Sequence, residues 1–138
     1  MKTNEPKVVP FITFCGQAKE AVEFYTQQFQ NSQIISIAYF EKGDRGVEGD
    51  VLTAVFEING LQFMAMDMEK EYCPQTSWAT SFYYDCDSEN EFDKLLEVLA
   101  KDGTVLMGPE PVETSSSMIK KCAWITDRFN VTWQLIYQ

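Results

Sequence analysis

The sequence predicts an α+β fold of two tandem βαβββ modules, at about residues 8–68 and 78–138. The order strand, helix, strand, hairpin occurs twice along the chain. The two helix starts fall near residues 17 and 88, a period of about 70 residues. A polar linker at 69–76 separates the two occurrences. These observations indicate an internal duplication of one supersecondary unit.

In the first module, the tightest local signal is a hairpin. Val51–Ile58 and residues 61–68 are rich in strand-forming side chains and are joined by Asn59 and Gly60, which tolerate the positive φ of a type I′ turn. Residues 8–14 and 33–40 are predicted strands, and Pro10 favours an edge position for the first. Residues 17–28 are a predicted helix because apolar residues recur there at three- and four-residue spacing, at Ala18, Ala21, Val22, Tyr25 and Phe29.

The second module repeats the pattern. Ser88 and Glu91 form a capping box at the start of a helix. The helix has an apolar stripe of Phe92, Leu95, Leu96 and Leu99 and ends near Gly103. The other elements are strands at 78–86, 104–107, 119–126 and 131–137, a loop at 108–117 and a turn at 127–130. The last two strands form a closing hairpin.

Composition excludes several partners. The chain carries 11 Lys and Arg against 21 Asp and Glu, for a net charge of −10, so it repels nucleic acid and anionic membranes. An apolar content of 45% is typical of a globular protein. The N-terminal residues lack the apolar run of a signal peptide, and no stretch of 18 apolar residues occurs, so we expect a cytoplasmic protein.

Histidine is absent from the sequence, which excludes Ser-His-Asp and Cys-His catalysis and any histidine-containing zinc site. The four cysteines contain no C-x-x-C pair and are predicted to be reduced, mostly buried thiols: Cys15, Cys73, Cys86 and Cys122. Cys15, just before a helix start, is the better candidate nucleophile, but no histidine is available to activate it.

Three segments carry a recognisable pattern. The opening segment at 10–18 reads Pro-Phe-Ile-Thr-Phe-Cys-Gly-Gln-Ala, the hairpin turns at Asn59-Gly60, and the ending runs from Trp124 to Trp133 and Gln134. Together these segments resemble the PhnB-like family of the vicinal-oxygen-chelate superfamily, a superfamily that includes glyoxalase I. Such proteins are often labelled 3-demethylubiquinone-9 3-methyltransferase domain proteins. The resemblance covers nearly the whole chain.

This resemblance implies one glyoxalase-like domain over residues 1–138, with curved mixed sheets around a cavity and helices outside. It also implies a homodimer. Strand alternation assigns Leu61, Phe63 and Ala65 to the core, and Met64 and Met66 to the cavity. Likewise, the alternate residues from Val131 to Tyr137 face the core, and Thr132, Gln134 and Ile136 face the cavity. The candidate ligand-binding residues are Phe14, Met64, Met66, Ser81, Tyr83, Trp124 and Gln134.

Metal-dependent members of the superfamily place one ligand on each of four strands. By local pattern these positions fall on Pro10, Met64, Ser81 (within two residues) and Gln134. A proline ring and a thioether are unsuitable for a hard divalent ion, and the other two side chains are neutral. We therefore expect no metal and no cofactor.

The resulting hypothesis is metal-independent binding of a small apolar or planar molecule in the concave cavity. The alternative is an enzyme, an isomerase, lyase or transferase, whose substrate and catalytic residues the sequence leaves unassigned. The family label names methyl transfer, but the chain lacks the G-x-G turn of a Rossmann-like methyl-donor site.

Overall fold

The computed structural model describes residues 6–75 and 77–138. The chain divides into two compact units, Met1–Pro74 and Gln75–Gln138. Each unit contains one four-stranded sheet and one α-helix. No helix in the described ranges is long and apolar enough to span a membrane.

The first unit is a βαβββ module followed by a short 3₁₀ helix. Its elements are β1 (Phe11–Phe14), α1 (Ala18–Gln28), β2 (Gln33–Tyr39), β3 (Val51–Ile58), β4 (Leu61–Asp67) and the 3₁₀ helix Lys70–Tyr72. The strand order is β1-β4-β3-β2, with β1 parallel to β4 and the other pairs antiparallel. Asn59 and Gly60 both have positive φ, as the predicted type I′ turn requires.

The second unit repeats this topology. Its elements are β5 (Phe82–Asp85), α2 (Glu89–Ala100), β6 (Thr104–Glu113), β7 (Met118–Thr126) and β8 (Thr132–Tyr137). The strand order is β5-β8-β7-β6, with β5 parallel to β8. The predicted α+β class, with two βαβββ modules forming mixed sheets, is therefore confirmed.

One face of each sheet carries a buried apolar layer. In β4, Phe63 and Ala65 are buried while Met64 and Met66 are half-buried, which matches the predicted alternation. Leu61, also predicted to face the core, is instead 56% exposed, because it directly follows the Asn59-Gly60 turn. In β8, Trp133 and Leu135 are buried as predicted, but Thr132 and Ile136 on the other face are buried as well. The buried residues of α1 are Ala18, Ala21, Val22 and Tyr25, and those of α2 are Phe92, Leu95 and Leu99.

Three predicted strands differ from the structure by three residues or more at one end. The first and fifth strands are shorter than expected, beginning at Phe11 and Phe82. The sequence predicts a strand at 104–107 and a loop at 108–117, but β6 continues to Glu113. Gly108 and Pro109 suggest a break in the sequence, and the strand accommodates them through irregularities in its register with β7.

The prediction of four reduced cysteines is wrong for two of them. Cys15 and Cys73 form a disulfide, with their Cα atoms 5.6 Å apart. Because β1 runs parallel to β4, Cys15 follows β1 at the same sheet end as the segment that leaves β4. Cys86 and Cys122 are free and buried, as expected.

Candidate functional site

A row of four side chains crosses the sheet of the second unit on the face opposite the buried layer. Tyr83 on β5 lies opposite Gln134 on β8, and Gln134 lies opposite Trp124 on β7. Met107 on β6 lies opposite Trp124. Residues that are directly opposite in neighbouring strands have Cβ atoms about 5 Å apart on the same face. The row therefore places one polar amide between a phenol and an indole.

A hydrogen bond within this unit orients the amide of Gln134. Its Nε2 donates to the Ser81 Oγ at 2.9 Å. Ser81 directly precedes β5, and its bond to Gln134 places its hydroxyl beside the same sheet face. Within residues 6–75 and 77–138, the Gln134 Oε1 and the Ser81 hydroxyl proton have no protein partner. The Gln134 Oε1 can thus accept a hydrogen bond, and the neighbouring Ser81 hydroxyl can donate one, to a bound molecule.

Next to this pair is an apolar pocket. Its volume is about 420 Å³, and its walls are Trp78, Leu106, Met107 and Trp124. The Trp78 and Trp124 rings meet edge to face, with centroids 6.0 Å apart and an interplanar angle of 70°. Trp78 is 63% exposed. The pocket therefore has two aromatic walls, of which one belongs to the loop before β5.

The register of the β7–β8 hairpin is fixed by a buried carboxylate. Asp127 Oδ1 accepts from the backbone N–H groups of Phe129 and Val131, at 2.8 and 3.1 Å. Its Oδ2 accepts from the Trp133 Nε1 at 3.0 Å. Because a slip of one residue would move each side chain to the other face, this turn keeps Gln134 opposite Trp124.

Cys122, which lies on the same sheet face as Trp124, is not an activated thiol. Burial raises the pKa of Cys122, the charge of Glu110 raises it further, and a hydrogen bond with the Trp124 side chain opposes them. In the buried layer, burial and the charges of Glu91 and Asp85 raise the pKa of Cys86 to about 12. Neither thiol supplies a thiolate at neutral pH.

Comparison with known proteins shows the family. The family model described as 3-demethylubiquinone-9 3-methyltransferase matches residues 6–136. The chain belongs to this family. The PhnB protein from Bacillus cereus is 36% identical, with 96% of this chain and all of that chain covered and a TM-score of 0.86.

More distant structures share the fold. Protein PA1353 from Pseudomonas aeruginosa is 23% identical, with 97% of this chain and 98% of that chain covered and a TM-score of 0.78. The fosfomycin resistance protein FosX from Listeria monocytogenes is 15% identical, with coverages of 96% and 94% and a TM-score of 0.64. No curated protein matches the chain. The glyoxalase-like fold implied by the sequence is thus confirmed.

In this family member, the candidate residues of the first unit do not all share a face. Met64 lies opposite Phe11 on β1 and Val55 on β3, and Met66 lies opposite Thr13. Phe14 lies opposite the buried Asp67, so it belongs to the other face and is 3% exposed. Phe14, a candidate cavity residue, therefore lies on the core face of this sheet and not on the face of Met64 and Met66.

The four positions that correspond to the superfamily's metal ligands are hydrogen-bonded in two pairs, one pair in each unit. In the first unit, the Met64 backbone N–H donates to the Pro10 carbonyl at 2.9 Å, and neither side chain carries an anionic donor. In the second, Gln134 and Ser81 bind each other. In the described ranges, no three His, Cys, Asp or Glu side chains are grouped closely enough to hold a metal ion. These residues do not fit a divalent cation, which needs several anionic or strong oxygen donors.

Sequence reasoning missed part of the pocket. The structure brings together Ser81, Tyr83, Trp124 and Gln134 in the second unit. The other three pocket walls are not among the candidate ligand-binding residues: Trp78, Leu106 and Met107. The β6–β7 hairpin that brings Met107 opposite Trp124 has three register irregularities. The only available signal was the strand character of 104–107 next to a closing hairpin.

Proposed function

We propose that the protein binds a small, planar and largely apolar molecule in the pocket of the second unit, without a metal ion. The observation that carries this proposal is the apolar pocket bounded by two tryptophans beside the Gln134–Ser81 pair. A volume of about 420 Å³ lies within the usual range for small-molecule sites, roughly 300–1,000 Å³.

Each part of the site has a separate role in this proposal. Trp78 and Trp124 supply flat apolar walls, and burial of about 150 Å² of ligand surface there gives roughly 4 kcal/mol before binding entropy is subtracted. The thioether of Met107 adapts to the ligand outline. Gln134 Oε1 and the Ser81 hydroxyl pair with one donor and one acceptor on the ligand rim. Tyr83 extends the row at its edge strand.

The test uses N-phenyl-1-naphthylamine, a neutral aromatic dye that becomes fluorescent in apolar surroundings. We expect saturable binding that is unchanged by EDTA and weakened at least tenfold by Trp124→Ala, since that change removes one wall. Tyr72→Ala is the matched control because Tyr72 is 64% exposed and lies in the first unit. Equal binding by Trp124→Ala and wild type, or loss of binding in EDTA, would contradict the proposal.

An enzyme of the isomerase, lyase or transferase class is the second candidate, favoured by the family's description as a methyltransferase. Calorimetric titration with S-adenosylmethionine separates the two functions. The binding proposal expects no heat of binding. Micromolar affinity for S-adenosylmethionine, lost in Gln134→Leu, would favour the enzyme.

A further inference from the structure

The disulfide of the first unit is placed where reagents can reach it. Cys15 is half-buried between β1 and α1, and Cys73 is exposed directly after the 3₁₀ helix. Exposed disulfides are more readily reduced than buried ones. The bond is therefore accessible from the side of Cys73.

The other two cysteines have the opposite properties. Cys86 and Cys122 are both 5% exposed, and burial raises the pKa of each thiol. Thiolate, and not thiol, is the form that reacts with peroxides and disulfides. The chain thus separates one cysteine pair that has an exposed member from two buried thiols.

We propose that Cys15 and Cys73 form a reversible, peroxide-responsive cross-link. In the oxidising direction, the Cys73 thiolate attacks one oxygen of hydrogen peroxide, and a sulfenic acid and hydroxide form. The Cys15 thiol then attacks that sulfur, the S–O bond breaks and water leaves as the disulfide forms. In total, two thiols and one peroxide give one disulfide and two waters. A dithiol reductant reverses the reaction by exchange and is itself oxidised to a disulfide.

The cross-link fixes the position of the segment that follows β4 at the end of the first unit. Beyond β4, the Met68 backbone N–H still donates to the Phe14 carbonyl at 2.7 Å. The disulfide next anchors Cys73, one residue before the end of the unit at Pro74. After reduction, the segment from Glu69 to Cys73 is retained only by noncovalent contacts. Oxidation therefore holds the segment from Glu69 to Cys73 against the end of β1.

The experiment treats wild-type protein with dithiothreitol or with hydrogen peroxide, and then counts thiols by alkylation in denaturant followed by mass spectrometry. We expect four alkylated cysteines after reduction and two after oxidation, with Cys15 and Cys73 joined in one peptide pair. The cross-link closes a loop with a sequence separation of 58 residues, so we expect the oxidised form to have a Tm higher by on the order of 10 °C.

Cys73→Ser provides the matched variant. We expect three alkylated cysteines and the same Tm under both conditions, since only the partner of Cys15 is lost. Four alkylated cysteines in wild type after peroxide, a Cys86–Cys122 pairing, or a cross-link between two chains would each overturn the proposal. The wild-type measurement does not depend on the folding of any variant.

Discussion

Asp67 shows how one buried side chain connects distant segments of the first unit. Its Oδ1 accepts from the backbone N–H groups of Gly16 and Ala18, both at 2.9 Å, and its Oδ2 accepts from Val51 at 2.9 Å. The carboxylate is 4% exposed. It therefore caps the start of α1, which has no side-chain cap of its own, and also fixes the start of β3.

Asp67→Ala should lower the free energy of unfolding by roughly 3–5 kcal/mol, because the buried N–H groups of Ala18 and Val51 and the partly buried N–H of Gly16 lose their acceptor. Urea unfolding followed by circular dichroism measures the change. Asp44→Ala is the control, since this exposed carboxylate accepts only one bond, from the Glu41 N–H, and should cost less than about 1 kcal/mol. Equal costs for the two variants would contradict this account.

Asp50 should make stability depend on pH. Burial, and then the charge of Asp67, raise the native pKa of Asp50 above the ordinary value of 3.8. The stabilisation that comes from protonated Asp50 is fully present below pH 3.8 and is lost as the pH rises through the native pKa. We expect Asp50→Asn to stabilise the protein at pH 7, by less than about 1 kcal/mol because the group is partly exposed.

Urea unfolding of wild type and Asp50→Asn at pH 7 and pH 3 isolates this effect, since the other carboxylates are common to both proteins. The increase in the free energy of unfolding caused by Asp50→Asn should shrink towards zero at pH 3. A gain of the same size at both values would show that the effect does not come from titration of Asp50.

At the scale of elements, the two helices differ in how far along the sequence the capping residue lies from the helix start. The α2 cap is local: Ser88 Oγ accepts from the Glu91 N–H at 3.1 Å, as predicted. The Glu91 carboxylate accepts from the Asp87 N–H at 2.7 Å and from the Tyr84 hydroxyl at 2.8 Å. This arrangement also connects α2 to β5.

Ser88→Ala should destabilise the protein by about 1 kcal/mol, the usual cost of losing an N-cap. Ser88→Asp keeps an acceptor at the same position and should restore most of the loss. Thermal unfolding of the three proteins tests both statements. Equal losses in the two variants would mean that the cap bond contributes little.

The difference between contacts of neighbouring residues and contacts of distant residues explains which features the sequence could predict. The α2 cap, the Asn59-Gly60 turn and the burial alternation from Phe63 to Met66 depend on neighbouring residues, and the sequence predicts all three correctly. The Asp67 cap and the Cys15–Cys73 bond join residues 49 to 58 positions apart, and only the completed sheet brings them together. Ser81 and Gln134 meet because β5 and β8 pair, whereas the face of Phe14 depends on a register that local pattern leaves open.

At the scale of the molecule, the proposed function and the net charge of −10 together predict that a neutral ligand binds better than an anionic ligand of equal shape. The proposed site adds to this effect. Asp85 follows Tyr83 by two residues on β5, and Glu110 lies opposite Cys122 on β7. Both acidic residues therefore flank the row on its own face. A neutral ligand avoids this repulsion.

The neutral dye N-phenyl-1-naphthylamine and its sulfonated analogue 8-anilinonaphthalene-1-sulfonate provide a matched pair. We expect the anionic dye to bind several-fold more weakly at 10 mM salt and to recover most of the difference at 300 mM, as screening shortens the range of repulsion. The neutral dye should be insensitive to salt in the same fluorescence titration. Equal affinities at 10 mM salt would contradict the prediction.

The pairing of first and last strands has a consequence for biosynthesis. In each sheet, the strand that starts the module has only one neighbour, and that neighbour is synthesised last. The sheet of the first unit can therefore close once residue 67 has left the ribosome, while β5 must wait for residues 132–137. We expect the amino-terminal unit to be folded before translation has produced the strand that completes its counterpart.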